Sequence, residues 1–312
     1  MPPLVTVQEV VDRVDAWRGR SVETAMIKGG LSHETYLATV DGAERSVVRL
    51  LNPQVEQALL GISPGDEIEN TIRAAATGVG PAVIQSYPDM PALVLEFLDG
   101  EVMSVPALQQ PERIRRAGIA CRRLHDRSAP FVTELDIFRH RERFLALCDR
   151  EGIRIPDGYR DYDDHVRRIE AAITAQGVDL APCHNDLLAE NLIEVGDDLR
   201  IIDFQLSGTD HRAFELGDLA AESDYDPDMV ERLVEAYYGE RLPGRVAETR
   251  LCLAMSNTTW CLWMCIYIAL VVNETVEFDY WSEAMDKWGQ ALRDLEGPDF
   301  GRLLDEARTG AR

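Results

Sequence analysis

Apolar and polar positions follow two different rhythms along this chain, and the change falls near the end of its first third. Between about residues 22 and 98 the pattern comes in short runs of strand type: Ala25-Met26-Ile27-Lys28, Thr35 to Val40, Ser46 to Leu51, Ala82 to Ile84 and Leu93 to Leu98. Asp41-Gly42 separates the second run from the third and reads as a hairpin turn. A single helical window interrupts the strands, Glu67 to Ala76, introduced by Pro64-Gly65-Asp66 and closed by Gly78-Val79-Gly80-Pro81. Ahead of them, residues 5 to 17 repeat at helical spacing through Val7, Val10, Val11, Val14 and Trp17. From Pro111 onward helices dominate, broken by two short strands, Leu192 to Val195 and Leu199 to Ile202, about a turn at Gly196-Asp197-Asp198. The pattern therefore predicts an α+β chain. Five strands and a helix occupy residues 1–98, and a mainly helical part carrying one hairpin occupies 99–312.

Length and charge narrow the functions. A chain of 312 residues is long for one core and suits two lobes. It carries 32 basic against 55 acidic residues, a formal net charge of −23. Such a surface has no surplus of cations to displace the counterions of a nucleic acid, so no nucleic-acid partner and no anionic-membrane partner is expected. Any phosphate-binding site must be locally positive against this background. The first residues form no charged-then-apolar leader, and the longest apolar run, Trp260 to Val272, is too short to span a bilayer. The expectation is a cytoplasmic protein without membrane insertion. Its six cysteines include no CxxC pair and read as buried free thiols.

The candidate chemistry lies around the hairpin. His184-Asn185-Asp186 is followed by Asn191, and Asp203-Phe204 comes twelve positions later. This spacing is expected to set an acid, an amide and a second carboxylate on the two hairpin strands. Phosphoryl transfer from ATP needs that set: a carboxylate orients the attacking hydroxyl, and an Asn and an Asp hold the Mg²⁺ that neutralises the nucleotide phosphates. Gly29-Gly30, ahead of Ser32, permits close backbone approach to phosphates, although a Gly pair alone is as well read as a turn.

His184 to Asn191, with Ile202-Asp203-Phe204, resembles the catalytic segment of the aminoglycoside phosphotransferase and choline kinase superfamily, relatives of the protein kinases. Within it the chain is most similar to the choline/ethanolamine kinase branch, from about Val22 to about Trp288. The resemblance implies a two-lobed protein-kinase-like fold with a five-stranded antiparallel sheet. It also implies Asp186 as the base, Asn191 and Asp203 on Mg²⁺, and ATP as donor, with Gly29, Gly30 and Ser32 covering its phosphates. Arg49 stands where protein kinases carry Lys; it implies a phosphate clamp paired with Glu67, with Glu69 as the fallback. Glu96 and Leu98, in the segment before Asp99-Gly100, fall at the inter-lobe hinge that meets adenine. Phe214-Glu215-Leu216-Gly217 is similar to the family's Phe-Asp-Leu-Gly segment, with a longer acid expected to disturb the local geometry. His125 reads as structural, His184 as orienting the loop, and His140 and His165 as solvated.

For the acceptor, Trp260-Cys261-Leu262-Trp263, expected to open an apolar helix, and Phe278-Asp279-Tyr280 resemble the segments that complete the choline pocket. Trp260 and Trp263 lie one turn apart, with Tyr267 continuing the stripe; such a stripe is either a cation–π cage or plain core. Glu222 matches a family acid at the substrate site. Leu206 and Glu283 stand where an aromatic is often found; a carboxylate there suits a cation with N–H donors. These residues imply a small cationic alcohol, choline first and ethanolamine close behind. A drug or sugar kinase of the same superfamily, or a catalytically silent nucleotide-binding regulator, are the alternatives.

Overall fold

The computed structural model describes residues 5–27, 33–53, 56, 61–87, 89–271 and 279–310. Five strands, β1 (Val22–Met26), β2 (Glu34–Val40), β3 (Glu44–Leu50), β4 (Val83–Ser86) and β5 (Ala92–Glu96), form one sheet in the order β1-β2-β3-β5-β4. Every neighbouring pair is antiparallel, as expected. The β2–β3 turn holds Asp41 and Gly42 at φ 51° and 71°, the left-handed region that Asp tolerates and Gly enters freely. Under the sheet, Val10, Val14 and Trp17 pack with Val40, Val48 and Val94. The long N-terminal helix expected from their spacing is instead a short helix α1 (Val7–Val11) and a 3₁₀ turn at Asp15–Trp17. The valines that give the period are β-branched and favour helix weakly, so burial is achieved without a continuous helix.

Helix α2 (Pro64–Ala76) crosses the sheet. Its start is set by the Ser63 hydroxyl, which accepts from the Asp66 N–H at 3.1 Å, and by Pro64 in the first turn. Its buried face is polar: Glu67, Asn70 and Thr71 lie beside Ala74. The Asn70 side chain donates to Thr133 Oγ1 and Ser207 Oγ and accepts from Val132 N–H, which ties the sheet to the helical part.

The helical part holds α3 (Val105–Leu108), α4 (Pro111–Arg127), α5 (Ile137–Glu151), α6 (Asp163–Ile173), α7 (Arg212–Glu222), α8 (Pro227–Tyr238), α9 (Pro243–Leu270), α10 (Tyr280–Leu295) and α11 (Phe300–Thr309). The 28-residue α9 is long and apolar enough to cross a membrane, yet 78% of its most apolar window is buried in the protein, as in a core helix. Trp260 and Trp263 fall in the second half of α9 and do not open it. All six cysteines are buried and unpaired. Two histidines expected in solvent are not there. His140 is 8% exposed against the Phe144 ring at 4.3 Å, and burial pushes its pKa down to about 3. His165 is half-buried between Tyr162 and Phe300. Both lie on the inner faces of helices whose outer faces carry the charges.

Short strands frame the loops that matter. β6 (Glu101–Val102) extends the hairpin of β8 (Leu192–Val195) and β9 (Asp198–Ile201), and β7 (Leu180–Cys183) pairs with β10 (Gly208–His211). Val195 pairs with Asp198, so the hairpin turn is Gly196-Asp197, with Gly196 at φ 61°.

Candidate active site

β7 delivers the chain into His184 and β10 takes it up after Ser207, so residues 184–191 and 202–207 are held side by side at the open end of the hairpin. Asp186, Asn191 and Asp203 therefore flank the strands and do not sit on them, contrary to expectation; a strand would have turned alternate side chains to opposite faces. Asn185 and Asp203 stand at φ 65° and 69°, strain of the kind that persists where surrounding contacts over-determine it. Those contacts are specific. Glu215 Oε1 and Oε2 accept from the His184 and Asn185 N–H groups, both at 2.8 Å. The longer acid thus spans two donors and does not disturb the loop. Burial opposes ionisation of Glu215, and the His125 hydrogen bond and charge overcome it, so its pKa lies below the usual range. Asp218 Oδ2 accepts from Leu187 N–H at 2.8 Å. Its Oδ1 takes Trp260 Nε1–H at 2.7 Å and the Ser256 hydroxyl at 2.9 Å. His184 donates from Nε2 to Ile202 O at 2.8 Å and accepts the Asp186 N–H at Nδ1, which joins the two loops.

Behind the loop, His125, Cys183 and Glu215 are buried with ligand-capable atoms within 4.8 Å of one another. They are already engaged: His125 Nδ1 meets the Tyr237 hydroxyl at 2.7 Å, and Glu215 holds the loop N–H groups. His125 is structural here, as its helix predicts.

Arg49 on β3 is 9% exposed and reaches across from the sheet. Its Nε donates to Glu67 Oε1 at 3.1 Å and its Nη2 to Asp203 Oδ1. Glu67, not Glu69, is therefore its partner; Glu69 pairs with Arg73 along the helix. His33 Nε2 lies 3.1 Å from Glu67 Oε2. Burial works against the Asp203 charge, but Arg49 outweighs it and holds the pKa below the usual carboxylate range. Asp186 goes the other way: burial, then Asp218, Asp203 and Glu222, hold it well above that range, with Lys287 opposing. Asp218 is raised by burial and by Glu222 to about 7.

One cleft of about 490 Å³ gathers these residues. Arg49, Asp186, Asn191 and Asp203 line it together with Glu222, Trp260, Trp263, Tyr280, Leu206 and Glu283. Trp260 is 5% exposed and belongs as much to the core as to the wall. Trp263 stacks on Tyr267 at 4.9 Å with 7° between planes, and Tyr267 meets Tyr280 at 5.0 Å. Glu222 is not a free charge, as the sequence suggested, since Lys287 Nζ donates to its Oε1 at 2.6 Å. Glu96 and Leu98 do not line this cleft: the Glu96 carboxylate accepts from Ala82 N–H and Arg200, and Leu98 is buried. Gly29, Gly30, Ser32 and Phe278 lie outside the described residues. Sequence reasoning missed Lys287, His33 and Asp218. Asp218 carried a signal in hindsight, four residues before Glu222 on the same helix face.

The phosphotransferase enzyme family matches residues 23–249. Ethanolamine kinase 2 of Mus musculus is 22% identical over 307 residues, which span 89% of this chain and 77% of that protein. A solved choline/ethanolamine kinase family protein from Mesorhizobium loti superimposes with a TM-score of 0.83 at 26% identity, over 96% of this chain and 97% of that one. The choline kinase LicA from Streptococcus pneumoniae gives a TM-score of 0.71 at 18% identity, over 93% and 98%. The chain belongs to the phosphotransferase enzyme family, and its similar relatives there are ethanolamine and choline kinases.

Proposed function

We propose that this protein is an ATP- and Mg²⁺-dependent kinase that phosphorylates the hydroxyl of a small cationic amino alcohol, choline or ethanolamine. The observation that carries the reading is the single cleft. It joins a base, two oxygen ligands and an arginine at one end to aromatic rings and carboxylates at the other. The half-buried Asp186 takes the acceptor proton as the hydroxyl oxygen bonds to the γ-phosphorus and the bond to the β-phosphate oxygen breaks, releasing ADP. Burial and the neighbouring carboxylates raise its pKa, which makes it a stronger proton acceptor than an exposed carboxylate. Arg49, oriented by Glu67, is assigned to the phosphates; β1 ends and β2 begins at the Arg49 end of the sheet, and Gly29, Gly30 and Ser32, which fall between them in sequence, are assigned to the same phosphates.

The residues fit a hard divalent cation. Asn191 Nδ2 donates to Asp186 O at 2.8 Å, no described residue donates to its side-chain oxygen, and Asp203 uses one oxygen on Arg49. Asn191 and Asp203 would hold Mg²⁺, which supplies charge neutralisation at the phosphates. The adenine end is assigned to the strand exit at Glu96 to Leu98. At the acceptor end, the faces of Trp263 and Tyr280 would meet the cationic head, each contributing about 0.5 to 2 kcal/mol depending on desolvation, with Trp260 packed behind them. Glu283 would supply its counter-charge.

The test is ADP release with Mg-ATP against choline, ethanolamine, an aminoglycoside and simple sugars, with and without EDTA. Turnover confined to the amino alcohols and abolished by EDTA is expected. Turnover of an aminoglycoside or sugar alone, or of none with ATP still bound, would overturn the amino-alcohol reading.

A further inference from the structure

At the acceptor end of the cleft the one lysine among the lining residues is almost sealed from water. Lys287 on α10 is 5% exposed, and its ammonium sits on Glu222 Oε1 at 2.6 Å. It is one of only two lysines in a chain that otherwise uses arginine. The groups facing it come from four segments: Glu222 and Asp218 on α7, Asp186 on the catalytic loop, Cys261 on α9, and Glu283 one turn earlier on its own helix. We propose that Lys287 is a specificity-determining residue. By occupying Glu222 it turns a carboxylate that would attract any cation into a directional acceptor that favours a head group bearing N–H donors over a quaternary ammonium. This rests on the amino-alcohol reading above.

Pairing with Lys287 changes what the carboxylate can offer. An unpaired Glu222 attracts a cation by its net charge, and that attraction depends on distance and not on whether the cation has N–H bonds. Paired with Lys287 the two side chains are together neutral, so the long-range term for an incoming cation nearly vanishes. What persists is local. The ammonium engages one oxygen of Glu222, no described residue donates to the other, and Glu283 adds a second carboxylate to the same wall. A primary ammonium can donate to these oxygens, and charge-assisted hydrogen bonds are strong. A trimethylammonium has no donor and is left with the rings. The rings do not tell the two head groups apart by N–H donors, and their positions are fixed: Trp260 Nε1–H is held by Asp218, and Trp263 is stacked on Tyr267.

The experiment is kcat/KM at pH 8 for ethanolamine, its mono- and dimethyl derivatives and choline, with the wild type and with Lys287→Met and Lys287→Gln. The wild type should lose efficiency as N–H donors are removed, with ethanolamine above choline. In both variants the ethanolamine-to-choline ratio should fall about tenfold, equivalent to about 1.4 kcal/mol. A wild-type preference for choline overturns the proposal, and that result needs no variant to fold. A ratio unmoved within twofold in folded variants, or equal losses for both acceptors, also overturns it and marks the pair as structural. No turnover of any amino alcohol by the wild type would instead sink the amino-alcohol reading, and this proposal with it.

Discussion

Asp186, Asn191 and Asp203 could be read from the sequence because the chemistry demands those residue types at short separations, and a loop of fixed length delivers them. The Arg49–Glu67 pair was within reach for a similar reason: one strand and one helix had each to supply a charge. Lys287 was not legible. Its partner Glu222 is 65 residues away, and only the packing of α10 on α7 through α9 brings them together. His140 shows the same limit. Flanked by Arg139 and Arg141 it reads as solvated, yet the helix turns it onto Phe144 and Trp260. Its pKa is pushed down from 6.5 to about 3, so the folded protein keeps it neutral while the unfolded chain protonates it. The stability it contributes is present above pH 6.5 and is lost as pH falls toward 3. The loss at pH 5 should be about 2 kcal/mol. His140→Phe, which keeps a ring in place, should flatten the decline between pH 6.5 and 5 when both proteins are unfolded in urea at each pH. An equal decline in both would contradict the assignment.

At the scale of elements, the five strands and α2 follow their sequence patterns closely, because period-two runs bounded by Asp-Gly and Gly-Pro leave few alternatives. The N-terminal helix and the placement of the catalytic residues on strands were misjudged; in both cases residue spacing was satisfied by a different local backbone. The contact of α7 with α9 is what links the 184–191 loop to the proposed acceptor pocket. Asp218 and Glu222 project from α7, and Trp260 and Trp263 from α9. Gly217 makes that approach possible: a Cβ there would lie 2.6 Å from the Cys252 carbonyl carbon and the Leu253 nitrogen, both backbone atoms that cannot step aside. Gly217→Ala should force the helices apart at a cost of about 1–3 kcal/mol, read as a lower denaturation midpoint. Because the shift would also separate Trp260 from Asp218, KM for the acceptor should rise. An unchanged midpoint would mean that the helices are less closely seated than described.

Over the whole molecule the two parts are joined where charge is concentrated. Arg49 leaves the sheet to meet Asp203 beside the catalytic loop, and Asn70 from α2 fastens the sheet to Thr133 and Ser207. With a net charge of −23 the chain repels polyphosphates on average, so Arg49 at this junction, and the divalent metal of the proposed reaction, would matter more than in a neutral protein. The same junction makes Asp186 the point on which the account depends. Asp186→Asn keeps the side chain's size and its place beside Asn191, and removes only the capacity to take the proton. The decisive measurement is turnover of the preferred amino alcohol by this variant alongside its affinity for Mg-ATP. Turnover should fall by about 10³-fold or more while nucleotide affinity stays close to that of the wild type. Turnover near the wild-type rate would contradict the assignment of Asp186, and with it the mechanism built on this cleft.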